Sequence, residues 1–283
     1  MQIIDTHIHI WDLENITYQW LEGNETLLNR TYKLAELEEQ RKEAGITCGV
    51  LVQAENHFQD TDWMLSNAMQ ADWIRGVVGW VPLMQPDETQ AALDKYLKHP
   101  YFKGVRHLIH DEPDPKWLLQ SEVLESLNIL ASHKVPYDIV GVLTDHIECA
   151  LVVAEKIPHL NMVFDHLNQP PIAQKEMFGR WGELMIEAAK HDNLFQKISG
   201  LGTTTGNLEG WATDDIQPYV EFVLEHFGTD RCFCGGDWPV SRLAGEYART
   251  WGIYKKLLTR ILSTEGQEKV FYRNANTFYK LSV

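Results

Sequence analysis

The segment Ile3-Ile4-Asp5-Thr6-His7-Ile8-His9-Ile10, followed at once by Trp11-Asp12, sets the reading of the whole chain. Apolar and polar side chains alternate in it with period two. A strand built from it sends Asp5, His7 and His9 to one face and Ile4, Ile8 and Ile10 to the other. Two imidazoles then aim at one point, which is the arrangement a divalent cation asks for, since neutral imidazole is a good ligand for zinc and its neighbours. The same short pattern also fits one histidine bonded to a backbone carbonyl and the other half exposed.

Outward from this strand the chain repeats itself. Further runs rich in β-branched residues, several apolar on both faces, occupy 49–54, 74–81, 102–109, 135–140, 161–166, 195–199 and 231–235. Such runs are what buried parallel strands look like. Helical patterns follow over 34–44, 62–71, 87–97, 122–133, 145–157, 180–191, 215–227 and 246–262. A last helix over 266–279 opens with Thr264 and Gln267 at capping-box spacing. Eight strands alternating with helices predict a parallel α/β sheet closed into a single (β/α)8 TIM barrel with a C-terminal helix, one domain spanning residues 1–283. Between the first strand and first helix, residues 13–32 have no clean period, and Tyr18, Trp20 and Gly23 within them predict a packed lid.

Composition narrows the partners. With 44% apolar residues and 11 prolines and 19 glycines scattered rather than clustered, the chain reads as globular. A formal net charge of −15 argues against nucleic acid or an anionic membrane, which need clustered Lys and Arg. Neither a leader pattern nor a membrane-length apolar run is visible, so the expected location is the cytoplasm. Cys48, Cys149, Cys232 and Cys234 sit in apolar segments without zinc-ribbon spacing, and read as core residues. The expected partner is a small molecule, with self-association into a homo-oligomer left open.

In such a barrel the chemistry collects where strands end at their C-terminal side. Those exits offer His7 and His9, Gln53, Trp80, Arg106 and His107, Asp138, His166, Ser199 and Asp237. In Gly235-Gly236-Asp237-Trp238-Pro239 the glycines free the backbone and the proline restricts Trp238, so Asp237 is held at the mouth as a metal ligand or a base for water. Asp165-His166 precedes a turn ending in Pro170-Pro171. Alternation admits one of the two to the barrel interior, and we assign His166, with Asp165 orienting its neighbours. Arg106 supplies a guanidinium suited to a carboxylate or a carbonyl gaining charge.

Taken together, these motifs resemble the amidohydrolase superfamily, and within it the branch of TIM-barrel hydrolases that includes sugar lactonases and the pyrone-dicarboxylate lactonase. The resemblance rests on Asp5-Thr-His7-Ile-His9-Ile-Trp11-Asp12, Gly104-Val-Arg106-His107, Asp165-His166, Lys197-Ile-Ser199-Gly200, Gly236-Asp237-Trp238-Pro239 and Asn274-Ala275. It implies that His7, His9, His166 and Asp237 bind metal or activate substrate, and that Arg106 contacts substrate. Where two-metal members carry a lysine or glutamate on strand four and a histidine on strand five, this chain has Arg106-His107 and Tyr137-Asp138. The expected cofactor is therefore one divalent ion, Zn2+ first, or none.

The expected reaction is water attack on the ester carbonyl of a small sugar-acid lactone. Asp237, His166 and Arg106 are the catalytic candidates, and Trp11, Gln53, Trp80, Arg106, His107 and Tyr137 the substrate-binding ones. Two alternatives stand beside it: an amidohydrolase-type decarboxylase of an unsaturated or aromatic acid, and a barrel that binds a sugar acid without catalysis.

Overall fold

The computed structural model describes all residues, Met1–Val283. Eight parallel strands follow one another around the sheet: β1 (Ile4–Ile8), β2 (Cys48–Val52), β3 (Ile74–Gly79), β4 (Phe102–His107), β5 (Tyr137–Ile139), β6 (Met162–Phe164), β7 (Leu194–Ile198) and β8 (Cys232–Cys234). Between them run α1 (Glu38–Glu43), α2 (Phe58–Ala68), α3 (Pro86–Tyr96), α4 (Ser121–Ser132), α5 (Thr144–Lys156), α6 (Gly179–Ala188) and α7 (Thr213–Phe227), and α8 (Tyr247–Ile261) follows the last strand. This is the TIM-barrel architecture the alternation predicts. β8 and β1 form no ladder. Their seam is closed at the mouth instead, where Asp237 N–H donates to the His7 carbonyl at 2.8 Å and His9 N–H to the Trp238 carbonyl at 2.7 Å.

The C-terminal helix is broken into Thr264–Glu268, a π-helical turn over Lys269–Arg273, and Asn274–Tyr279. Its end seals the bottom of the barrel: Phe278, Tyr279 and Leu281 pack with Ile4, Val50, Val78, Val163 and Phe233 in one buried cluster. Asn274 ties it to β8, donating through Nδ2 to the carbonyls of Thr229 at 2.6 Å and Cys232 at 2.8 Å. The larger core lies between strands and helices and takes in Ile3, Ile8 and Ile10.

That division corrects the face assignment of the first strand. The β1–β2 register slips by one residue between Asp5 and Ile8. A bulge of this kind inserts one residue and reverses the alternation beyond it. Ile4 is therefore in the barrel and Asp5 outside it, under α8, whereas His7 and His9 still face the interior. Asp5 accepts from the backbone N–H groups of His7 at 2.9 Å and Gly236 at 2.7 Å, from Tyr247 Oη at 2.6 Å and from Trp251 Nε1 at 3.3 Å. Gly236 must be glycine here, since a Cβ would lie 2.5 Å from the Asp5 carboxylate. Burial pushes Asp5 up to about 6 despite these donors.

The residue 13–32 segment is packed, as its aromatics predict. Tyr18, Leu21 and Leu28 are buried, and Trp11 and Tyr32 exchange backbone hydrogen bonds at 3.2 and 2.9 Å. Tyr18 Oη donates to the buried Asp60 carboxylate of α2 at 2.9 Å, and Trp20 Nε1 to the Ala54 carbonyl at 2.8 Å. The four cysteines are free and buried, and burial pushes the Cys232 thiol up to about 12. No helix is long and apolar enough to cross a membrane.

Candidate active site

β1 and the exit of β8 bring His7, His9 and Asp237 together. Asp237 Oδ1 lies 3.8 Å from His7 Nε2 and 3.5 Å from His9 Nε2, and His166 Nε2 approaches the same oxygen at 3.8 Å. Asp237 sits at φ +57°, a left-handed conformation that a non-glycine residue adopts only when its surroundings impose it. Its carbonyl accepts the Ser241 N–H at 2.7 Å, closing the turn.

Asp165 and His166 both enter the site, contrary to the expectation that alternation admits one. β6 ends at Phe164 and Asp165 keeps the inward direction of Val163. The chain then makes a left-handed turn, with φ of +54°, +52°, +51° and +54° at His166, Leu167, Asn168 and Gln169, which swings His166 over the mouth. Each such residue costs roughly 1–2 kcal/mol relative to a right-handed turn. Among the four, Asn tolerates it best.

The lower shelf of the site is a buried charge network. Asp165 pairs with Arg106 Nη1 at 3.0 Å and Lys197 Nζ at 2.8 Å, and Lys197 reaches Asp138 at 2.7 Å. Tyr279 of the C-terminal helix donates to both Asp138 oxygens, at 2.9 and 2.7 Å. Burial works against the Asp165 anion, but Lys197, His7 and Arg106 outweigh it and hold the carboxyl well below its usual range. Asp138, with less cationic help against burial, is raised to about 6. His7 Nδ1 lies 3.4 Å from Asp165 and 3.2 Å from Lys197, and burial lowers its affinity for a second proton. His7 is therefore neutral at neutral pH.

The His9 tautomer follows from its partner. His9 Nδ1 lies 2.8 Å from the Val52 carbonyl, which only accepts, so Nδ1 carries the hydrogen. Burial lowers the His9 pKa, leaving a lone pair on Nε2 aimed toward Asp237. His166 Nδ1 is held by Ser199 Oγ at 2.8 Å, with its Nε2 toward the same carboxylate. The His9 lone pair is thus aimed at the Asp237 carboxylate, and His7 and His166 present ring nitrogens to the same oxygen. That donor set fits a cation. Ligand atoms of His7, His166 and Asp237 lie within 4.8 Å of one another, and His9 flanks the group.

Above these residues opens a cavity of about 210 Å3. Arg106 lines it from β4, with Trp11 and Trp20 from the lid. His110, Gln169 and Thr203, which sequence reasoning did not single out, complete its polar rim, and Leu108, Val140, Val142 and Val240 its apolar part. Gln53, Trp80, His107 and Tyr137 stand outside this cavity. Gln53 is fully buried beneath it, its carbonyl accepting Arg106 Nη2 at 2.6 Å. His107 faces the outer layer, where it accepts from Trp80 Nε1 at 3.0 Å, donates to Glu112 at 2.7 Å and stacks on Trp117. Tyr137 belongs to the outer core, because Asp138 takes the inward position on β5.

The sequence pattern of the amidohydrolase family matches residues 4–281. The chain belongs to the amidohydrolase family. An L-fucono-1,5-lactonase from Burkholderia ambifaria is 30% identical over 281 residues, covering 98% of this chain and 95% of its own length. An L-rhamnono-gamma-lactonase from Scheffersomyces stipitis is 24% identical and covers 99% of each chain. A solved amidohydrolase from Burkholderia multivorans, with zinc bound, superposes with a TM-score of 0.90 at 23% identity over 99% of both chains. As in other barrel enzymes, the polar side chains of this amidohydrolase gather at the C-terminal ends of the strands.

Proposed function

We propose that this amidohydrolase opens the ring ester of a sugar-acid lactone by water attack on the carbonyl. The observation that carries the reading is the Asp237 carboxylate, surrounded by imidazole nitrogens at 3.5 to 3.8 Å on the wall of the cavity that Arg106 also lines. The names of the two lactonase relatives support it.

Asp237 takes the proton from the attacking water and returns it to the leaving alkoxide. Arg106, on the cavity wall, offers a guanidinium N–H to the growing negative charge on the carbonyl oxygen. A preorganised donor of this kind contributes about 3–4 kcal/mol to such a step. The Val52 carbonyl holds His9 in the tautomer described, and Ser199 holds the His166 ring in place. Trp11 and Trp20 cover the ring from the lid. His7, His166 and Asp237, flanked by His9, would hold one divalent ion, and imidazole with carboxylate suits Zn2+ best. Such an ion supplies Lewis-acid polarisation of the carbonyl.

Decarboxylation of an unsaturated or aromatic acid is the alternative; the contacts of Arg106 to Asp165 and the Gln53 carbonyl use only part of its N–H donors, and it is the names of the lactonase relatives that favour ring opening. A purely binding role leaves the buried ionisable cluster without a use. The location in the cytoplasm and the single-domain reading of residues 1–283 complete the proposal, the former resting on the free cysteines.

A panel of aldonolactones followed with a pH indicator tests the reaction, with Asp237→Asn beside the wild type. The variant is expected to lose activity by about 10²- to 10⁴-fold. Unchanged turnover removes Asp237 from the mechanism, and CO2 release without ring opening decides for decarboxylation. Metal analysis of protein purified without chelators, with activity before and after chelation and zinc restoration, tests the ion.

A further inference from the structure

The ring-opening chemistry occupies one part of the cavity and leaves its polar rim without a task. Asp237 is the only carboxylate, and Arg106 the only guanidinium or ammonium, among the residues that line the cavity. The rim itself is neutral. Burial keeps the His110 imidazole from taking a second proton at neutral pH. Thr203 Oγ1 donates to the Gly200 carbonyl at 2.7 Å and keeps its lone pairs for another donor. Gln169, half-buried in the turn after β6, makes no side-chain hydrogen bond within the protein, although its amide both donates and accepts.

Gln169 also stands where a glutamine is costly. Its backbone is left-handed, at φ +54° and ψ 69°, directly before Pro170. Glycine takes that conformation without a Cβ penalty. The backbone bond made there, from the Gln169 N–H to the His166 carbonyl at 3.0 Å, is one that glycine makes equally well, so the turn itself does not call for a glutamine side chain. Strain of this kind gathers where a side chain is put to use. We propose that Gln169 is a specificity-determining residue, whose amide pairs with a hydroxyl group of the lactone away from the ester carbonyl. A hydroxyl donates and accepts as the amide does, whereas a charged substituent meets no counter-charge on this rim. The proposal rests on the lactonase reading of the site.

The test uses the aldonolactone that the wild type opens fastest, together with its monodeoxy derivatives. Gln169→Met keeps the length of the side chain without its amide. It is expected to raise KM by about three- to tenfold with kcat within about twofold, the signature of a contact made equally in the ground and transition states. One of the deoxy lactones is expected to cost the wild type the same factor and to cost the variant nothing further. Gln169→Gly is expected to lose the same discrimination with a melting temperature at or above that of the wild type. A fall in kcat in either variant would show that Gln169 merely props the turn that carries His166, and overturns the proposal. Wild-type indifference to every deoxygenation, or a variant that still tells the two lactones apart, overturns it as well, and both results leave the lactonase reading standing. If the wild type opens no aldonolactone, that reading falls, and calorimetry with the corresponding aldonates decides the role of Gln169. Binding weakened about three- to tenfold by Gln169→Met supports it; equal binding, or none, overturns it.

Discussion

At Ser199 a single hydroxyl decides which nitrogen of His166 faces the site, through a contact of 2.8 Å to Nδ1. Ser199→Ala frees the ring to rotate, and partners of this kind are worth about 10- to 100-fold in activity or metal affinity. The expected result is such a loss in kcat with an unchanged melting temperature. Asp60 acts on stability instead. It is fully buried, bonded to Tyr18 and to the Ala54 N–H, and burial pushes its carboxyl from 3.8 up to about 7. A carboxyl that holds its proton more tightly folded than unfolded stabilises most below the unfolded value. That contribution is present in full below about pH 4 and is lost as pH rises through 7. Asp5 and Asp138, both raised to about 6, act in the same direction over a narrower window. Thermal melts from pH 4 to 8 are expected to show a shallower fall for Asp60→Asn than for the wild type. Parallel curves would assign the fall to the other two.

Among the elements, the helix ends and the β6 turn carry the local strain. Lys134 follows α4 with φ +55°, where glycine is the residue without a Cβ penalty. Lys134→Gly keeps the carbonyl that Lys280 Nζ reaches at 3.0 Å, and is expected to raise stability by about 0.5–1 kcal/mol in denaturant titration. The turn at 166–169 does not tolerate the same exchange freely, because His166 and Gln169 line the cavity and Leu167 packs in the core. Asn168-Gln169-Pro170-Pro171 announced a turn, but its handedness depends on what His166 and Asn168 meet. The opening of α2 at Phe58, rather than at Asp62 as the pattern predicts, has a plainer cause: His57 Nδ1 caps it by accepting the Gln59 N–H at 3.1 Å.

Across the whole molecule, Lys197 binds the barrel to its C-terminal helix. It is fully buried between Asp138 on β5 and Asp165 at the end of β6, and Tyr279 completes the network from below. Lys197→Met leaves two buried carboxylates short of their cation, and removing one partner of a buried pair costs about 3–5 kcal/mol. Tyr279→Phe removes a neutral donor and is expected to cost about 1–3 kcal/mol. Chemical denaturation of both variants checks the order; a smaller loss for Lys197→Met would show that the carboxylates relax by taking up protons. Lys197, beside Gln196 on β7, is a weak signal in the sequence. Its partner Asp138 lies 59 residues away in the chain, and Tyr279 a further 141 from Asp138, so only the closed barrel brings the three together.

The sequence by itself determined the repeating pattern of strands and helices, and with it the barrel and the end at which its polar residues gather. It also marked His7, His9, Arg106, His166 and Asp237 as candidates, and the fold brings these five side chains together at the barrel mouth. The tertiary structure alone decided which side Asp5 takes, that Asp165 and His166 both enter the site, and that Gln53 and His107 stand outside the cavity. The reason is physical. A period-two pattern assumes an unbroken strand, whereas one bulge in β1 and one left-handed turn after β6 redirect side chains by sums of packing and hydrogen-bond energies that only the assembled barrel supplies.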